Sequence, residues 1–369
     1  MSKKIRVAIL FGGKSAEHEV SLQSAKNVVD AIDRERYEVV LIGIDKQGCW
    51  HLCDAEDFLL HADDPSRIAL KASGEPVALV TGEGGQPALV TLNEHRDLGP
   101  VDVVFPVLHG TFGEDGTIQG LLKLADVPFV GAGVLGSAVG MDKDVMKRLL
   151  RDAGLPIPKF FVVTRAQADA LSFEHAVEQV GRPLFVKPAN LGSSVGIHKV
   201  ASRAEFDAAV KDAFRYDTKI IVEEAIVGRE IECSVLGNET PQASLPGEII
   251  PTHEFYSYEA KYLDEAGARL EIPAKLPDET VRRVQELAVR TFQVLCCEGL
   301  ARVDFFLQED GAILVNEINT IPGFTRISMY PKLWEVSGLA YPELIHRLLQ
   351  LAIERFEREK ALETSVRLS

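Results

Sequence analysis

Residues 302–319, RVDFFLQEDGAILVNEIN, hold two strand-like runs on either side of Asp310-Gly311, a pair that favours the two-residue hairpin turn. A turn at those residues sets Asp304 opposite Glu317 and Arg302 opposite Asn319, and strand alternation puts all four on one face. Two carboxylates directly opposite each other repel. A hard divalent cation removes the conflict, and Asp, Glu and Asn oxygens are ligands that magnesium takes. A solvated polar face would use the same residue types, but here a kinked segment, residues 320–323, follows at once and is poised to cap a site.

Three further stretches could bind a small ligand. In residues 187–196, KPANLGSSVG, a strand ending in Lys187 runs into Gly192, Ser193, Ser194 and Gly196. Exposed amides and hydroxyls there can cradle phosphate oxygens while the lysine supplies charge, although an ordinary turn has the same composition. The lysine precedes the glycines, which is not the Walker order. In residues 221–230, IVEEAIVGRE, a buried strand terminating in Glu223-Glu224 could present backbone and a carboxylate to adenine and ribose, or be an exposed strand end. In residues 109–116, HGTFGEDG, three glycines let the backbone approach a ligand closely. His109 there is a ligand contact or a loop-fixing donor, and Glu114 and Asp115 organise the turn and start the next helix. Gly12-Gly13 lacks the third glycine of a dinucleotide fingerprint.

The elements that position these residues follow from the hydrophobic pattern. Residues 5–11, 37–44 and 101–108 are apolar runs suited to buried parallel strands, with a helical pattern over 21–32. This is a βαβ-type open sheet, with its ligand site at the carboxyl ends of the strands. Residues 54–100 are weakly patterned, hold several Gly, Pro and Asp, and look like a variable insertion. A boundary is expected near 136–140, then a helix over 142–153 that stops at Gly154. Strands are expected at 160–164, 184–188, 219–224 and 229–236, and a long helix at 279–295. Residues 252–268 carry neither period and are a candidate mobile loop over a site.

At 369 residues, 46% hydrophobic and 26% charged, the chain can build two or three compact units. A formal charge of −15 argues against a nucleic-acid binder, which needs a basic surface. The cysteines at 49, 53, 233, 296 and 297 suggest neither a disulfide framework nor a metal set. MSKKIRVAILFGG starts basic and then apolar, but the apolar run is too short for a signal peptide and reads as a first strand. No apolar stretch is long enough to span a membrane. A cytoplasmic protein is expected.

Taken together, FGGKSAEHEVSLQSA, HGTFGEDGTIQG, MDKDVMKRLL, VKPANLGSSVGI, EAKY and ARVDFF…NEINTIPGFTRISMYP resemble the D-alanine–D-alanine ligases of the ATP-grasp superfamily. The motifs run in the family's order from residue 11 to about residue 331. The resemblance implies an α/β (α+β) fold of three domains. Residues 1–139 would be an N-terminal, Rossmann-like open parallel sheet for substrate and dimerisation, 140–226 the central ATP-grasp domain, and 227–369 the C-terminal one with the metal site and loop 252–268. It implies D-alanine and ATP as substrates, two Mg2+ (or Mn2+), room for an activating monovalent cation, a homodimer, and no nucleic-acid or membrane partner. ATP would phosphorylate the first D-alanine's carboxylate, and the amine of the second would attack the acyl phosphate to make a peptidoglycan precursor.

By the same resemblance, Glu17 holds the ammonium of the first D-alanine and is linked to Ser193 and Tyr262, with His109 as a neighbour of that substrate. Lys143 and Lys187 are ATP phosphate lysines, with Ser193 and Ser194 in the phosphate loop, and Lys261 reaches the γ-phosphate. Glu223, Glu224 and Ile226 match the adenine segment, and Glu230 the ribose contact. Phe185 and Phe306 wall the adenine pocket or pack ordinary core, and Asn316 counts among the ATP residues. Asp304, Glu317 and Asn319 match the two-magnesium site. Arg302 and the Gly323 amide look like the oxyanion hole, while Ser328 and the Met329 amide take the second substrate's carboxylate.

One rival is a D-alanine–D-lactate ligase. In the resemblance, histidine at the position of Tyr262 marks depsipeptide makers and tyrosine dipeptide makers. A nucleotide-binding regulatory module would not need the full set Glu17, Ser193, Arg302, Asp304, Glu317 and Asn319. A Rossmann-type dehydrogenase is weakened by the incomplete glycine pattern.

Overall fold

The computed structural model describes residues 3–363 except 56, 63, 66, 72, 73, 82–86, 252–267 and 326. Strands β1 (Ile5–Gly12), β2 (Tyr37–Ile44) and β3 (Trp50–Cys53) join a later strand, β9 (Val103–Val107), in the order β3-β2-β1-β9. β2, β1 and β9 run parallel, and β3 is antiparallel at the edge. Both faces are covered, which is why these strands read as continuous apolar runs. Val7, Ile9 and Phe11 of β1 face one core, while Ala8 and Leu10 face another. Helix α1 (His18–Ala31) lies on the first of these cores, and α2 (Thr117–Leu124) supplies Ile118 and Leu122 to the second.

Residues 54–100 are more regular than their weak pattern suggests. They contain a two-stranded pair, β4 (Leu59–Leu60) with β5 (Ala69–Leu70). A three-stranded meander follows, β6 (Val77–Thr81), β7 (Pro87–Thr91) and β8 (Asp97–Pro100). Their short, half-buried strands carry too few residues for a period to show.

Residues 136–140, where a boundary is expected, belong to helix α3 (Val134–Met141). It is followed by α4 (Lys143–Asp152), whose N-cap Asp142 accepts hydrogen bonds from the amides of Asp144 and Val145. The central sheet consists of β10 (Phe160–Thr164), β11 (Leu184–Pro188), β12 (His198–Val200) and β13 (Lys219–Glu224), all antiparallel, in the order β10-β13-β11-β12. Leu184, Val186, Ile220 and Val222 pack on α5 (Phe173–Val180) and α6 (Arg203–Ala213). Alternation therefore turns Phe185, Lys187 and Glu223 to the other face.

The last sheet contains β14 (Arg229–Gly237), β15 (Gln242–Ala243), β16 (Gly247–Pro251), β17 (Ala268–Glu271), β18 (Gly299–Leu307) and β19 (Ile313–Asn319). Its order is β17-β16-β14-β18-β19, with β15 also on β14. Ile231, Cys233, Val303 and Phe305 face α7 (Asp278–Val294), and Met146 and Leu150 of α4 join the same core. The chain then forms α8 (Met329–Val336) and α9 (Tyr341–Lys360). α9 returns to the first sheet, where Leu344, Ile345, Leu348 and Leu349 share a core with Val7, Val28 and Phe105. Arg355 donates to the carbonyls of Gly131 and Phe129, the latter at 2.8 Å. Among the described residues no helix is long and apolar enough to cross a membrane.

Candidate active site

The β18–β19 register pairs Asp304 with Glu317 and Arg302 with Asn319, as the sequence suggests, but the route differs. The turn spans three residues rather than two: the amide of Gln308 donates to the carbonyl of Ala312 at 2.9 Å, and Gly311 takes φ +84°. That shifts the pairing by one, so Leu307 meets Ile313 and Phe305 meets Val315. A bulge then restores the register between Phe305 and Asp304, leaving Asn316 as the extra residue. The inward positions of β19 accordingly change from Ile313 and Val315 to Ile318.

Around this hairpin the polar side chains are knitted together. Arg302 holds Asp304 through Nε and Nη2, both at 2.7 Å, and its Nε also lies 2.9 Å from Glu232. The Asn319 amide donates to Asp304 at 3.0 Å. Lys143, the first residue of α4, lies 3.4 Å from Glu317 and donates to the carbonyl of Leu191 at 2.8 Å. Among the described residues, no group of three or more His, Cys, Asp and Glu is assembled as a metal centre. The candidate donors are two carboxylates paired across strands and one amide. All are hard oxygens, with Arg302 and Lys143 offsetting their charge, and this set fits a hard divalent cation.

Glu17 stands at the N-cap of α1, buried, and accepts a hydrogen bond from the Ser193 hydroxyl. Ser193 and Ser194 occupy left-handed backbone at φ 52° and 60°. At Gly110, which has φ +71°, an added Cβ would sit 2.3 Å from Glu17 Oε2 and displace that carboxylate. Glu17, His109, Lys143, Ser193, Arg302, Glu317, Asn319, Gly323, Ser328 and Met329 all line one cleft of about 450 Å3. Ser328 is the N-cap of α8, and Met329 opens it.

Of the residues expected around ATP, Lys143 and Ser193 line that cleft, while Phe185, Lys187, Ser194, Glu223, Glu224, Ile226, Glu230, Phe306 and Asn316 do not. Glu223 is buried between two lysines: Lys147 approaches one carboxylate oxygen, and Lys187 lies 2.5 Å from the other. The paired lysines hold its carboxyl below the usual range against the opposing effect of burial, and burial lowers Lys147. Lys187 also sits over the Phe185 ring at 5.4 Å. Glu224 accepts from the Lys159 amide at 2.6 Å, and Ile226 is half-buried in the turn before β14. Glu230 and Phe306 are register partners on the half-buried face of β14 and β18. Lys147 also donates to the carbonyl of Asn316 at 3.2 Å, so α4 ties the bulge of the last sheet to the central sheet. Lys261 and Tyr262 lie outside the described residues.

Sequence reasoning passed over Lys147, Glu232 and Ser24. Lys147 follows Lys143 by one helical turn, a spacing that places both on one face. Glu232 alternates with Glu230 along β14 and pairs with Asp304, but that signal needs the β14–β18 register. His109 is buried, with its ring held at both ends: Nδ1 lies 2.8 Å from the Ile321 carbonyl and Nε2 2.9 Å from Ser24 Oγ.

Comparison with known proteins agrees with this geometry. Residues 6–132 match the family described as "D-ala D-ala ligase N-terminus", and residues 149–350 match "D-ala D-ala ligase C-terminus". The chain belongs to the D-alanine–D-alanine ligase family. It is 57% identical to a D-alanine–D-alanine ligase of Oceanobacillus iheyensis, over 98% of this chain and 99% of that one. The match to the D-alanine–D-alanine ligase A of Escherichia coli K12 is 55%, over 99% and 100%. Among solved structures, the D-alanine–D-alanine ligase from Coxiella burnetii superposes with a TM-score of 0.85 at 42% identity, covering 97% of both chains. The VanG D-Ala:D-Ser ligase from Enterococcus faecalis gives 0.83 at 37%, over 95% and 100%. The chain is thus a ligase with the ATP-grasp fold, of a family that uses ATP and a divalent metal.

Proposed function

We propose that the chain joins two D-alanines into D-alanyl-D-alanine at the expense of ATP, supplying peptidoglycan synthesis in the cytoplasm. The observation that carries this reading is the cleft that gathers Glu17 with Ser193, Arg302 with the Gly323 segment, and the N-terminus of α8. The Glu17 carboxylate, the Arg302 guanidinium and the amide end of α8 suit two amino acids laid head to tail.

Glu17, fixed by Ser193, binds the ammonium of the first D-alanine and leaves its carboxylate to be phosphorylated. Ser328 and the Met329 amide hold the carboxylate of the second, where the helix dipole favours negative charge. Arg302 and the Gly323 amide then face the acyl oxygen as it gains charge, the contribution that dominates such reactions. Lys143, Lys187 and the 193–194 loop take the ATP phosphates. Phe185, Glu223, Glu224, Ile226, Glu230 and Phe306 take the nucleoside, with Asn316 at the bulge. Asp304, Glu317 and Asn319 would hold two Mg2+ or Mn2+, which neutralise charge on the transferring phosphoryl group. Lys261 and Tyr262 belong to the segment assigned to close over the acyl phosphate and keep water out.

Of three units, 1–139 carries the open parallel sheet and the two small sheets, 140–226 the central sheet and 227–369 the last sheet. A second copy of the chain is assigned to the outer face of α2 and α3, where Leu124 is 86% exposed and Leu121 and Leu135 are also exposed.

The deciding experiment is ADP and phosphate release from Mg-ATP with D-alanine, D-lactate, D-serine, or D-alanine plus either, with products identified by mass. D-alanine alone should give a dipeptide with one ADP per bond. Turnover that requires D-lactate or D-serine would transfer the assignment to that second substrate.

A further inference from the structure

The loop after β9 closes on a single residue just beyond the last strand. Ile321 is held at both backbone groups. Its N–H donates to Glu114 Oε2 at 3.2 Å, and its carbonyl lies 2.8 Å from His109 Nδ1. A carbonyl only accepts, so Nδ1 carries the proton. Burial holds this ring well below its ordinary range, down to about 4, so it is neutral and Nε2 accepts from the Ser24 hydroxyl at 2.9 Å. Ser24 Oγ in turn accepts from the Phe324 amide at 3.1 Å. Glu114 uses its other oxygen on the Gly110 amide at 2.9 Å. Each N–H in this chain of contacts meets an acceptor, and so does the Ser24 hydroxyl.

Three groups from the first-sheet unit thus fix Ile321 and Phe324, and only Pro322 and Gly323 lie between them. Proline has a fixed φ, so little freedom is left for the peptide that presents the Gly323 amide. The side chain at 114 does more than organise its own turn, because its second bond crosses to the end of β19. Its first bond holds the Gly110 amide beside Glu17, so this grip adjoins the expected ammonium site.

We propose that Glu114 is a positioning residue for peptide-bond formation, which with His109 and Ser24 aims the Gly323 amide at the acyl oxygen. The inference rests on the reading of Gly323 as an oxyanion donor in the proposed ligation. A preorganised donor contributes only while its direction is fixed, and outright loss of one costs about 10²–10³ in rate. Glu114→Gln keeps the shape but turns an amide NH2 toward one of the two N–H groups, which breaks one of the two bonds.

The test measures dipeptide and ADP together in wild type and Glu114→Gln, with melting temperatures for both. The expected result is a fall in kcat for dipeptide of about 30-fold, less than loss of the donor itself. KM for ATP and D-alanine should stay within about threefold, and ADP per dipeptide should rise above one as water intercepts the acyl phosphate. An unchanged kcat, or dipeptide and ADP falling in strict proportion, would overturn the proposal, since a merely structural role scales both alike. If Glu114→Gln does not fold, Ser24→Ala tests the same grip from the Phe324 side, and wild-type coupling in that folded variant would overturn it equally. A wild type that makes no dipeptide at all would refute the ligase reading instead, a separate outcome.

Discussion

Both carboxylate oxygens of Asp304 are held by Arg302, two residues earlier on the same strand, at 2.7 Å each. The arginine assigned to the acyl oxygen thus shares its partner with the metal ligand set. A divalent cation at Asp304 competes with this grip, leaving Arg302 to Glu232 and the substrate. Asp304→Asn should raise the Mg2+ concentration for half-maximal activity by about 100-fold or more, by analogy with the 10–100-fold cost of losing even an outer partner. Titration of activity with Mg2+ and Mn2+ checks this, and an unshifted midpoint would exclude Asp304 as a ligand.

Glu223 neutralises two buried ammonium groups at once. Glu223→Gln leaves Lys147 and Lys187 facing a neutral amide, and breaking a buried pair from one side costs about 3–5 kcal/mol. Lys147 already holds its proton less tightly folded than unfolded, because burial disfavours its charge. The unfolded state then binds more protons, so the variant should regain stability as pH rises toward the ordinary lysine range. Urea unfolding at pH 7 and pH 9 reads both effects; equal loss at the two values would contradict the account.

How far could this site be read before the structure? The Asp304–Glu317 pairing was legible, although for a reason that held only in part. The turn is one residue longer than Asp310-Gly311 predicts, and the extra residue Asn316 compensates. Nothing in a strand's alternation announces a bulge, so two local departures cancelled at the positions that mattered. The open parallel sheet was legible because β1 and β9 are buried on both faces and read as unbroken apolar runs. The grip of Glu114 on Ile321 was not, because it joins residues far apart in the chain, and one sequence carries no trace of such pairs. Helix α1 begins at His18 rather than at residue 21, since its first turn is polar and is held by tertiary contacts.

His109 and Glu114 should pull the pH dependence of stability in opposite directions. Burial lowers His109 from 6.5 to about 4, so its contribution is complete above pH 6.5 and is lost as pH falls toward 4. Burial first, and then the neighbouring charge of Glu17, raise Glu114 from 4.5 to about 8, so its contribution is lost as pH climbs from 4.5 toward 8. Each slope is at most about 1.4 kcal/mol per pH unit. Between pH 4.5 and 6.5 they oppose each other. His109→Gln should leave stability falling with pH in that window, and Glu114→Gln should leave it rising. Denaturant unfolding at pH 5 and 6.5 would show parallel curves if neither group titrates as described.

The exposed leucines of α2 and α3 offer a simple assembly test. Leu124→Glu places a charge where a second copy would pack, and light scattering after gel filtration should show a shift from dimer to monomer. A variant that elutes as the wild type does would place any dimer contact elsewhere.

The return of α9 to the first sheet sets an order of events during synthesis. β1, β2 and β9 leave the ribosome early, yet one of their two cores is completed by Leu344, Ile345, Leu348 and Leu349, and the carbonyls of Phe129 and Gly131 await Arg355. A nascent chain lacking α9 therefore displays the part of this apolar sheet face that α1 leaves uncovered, the kind of surface that chaperones hold and that aggregates otherwise. The N-terminal sheet is translated first and finished last.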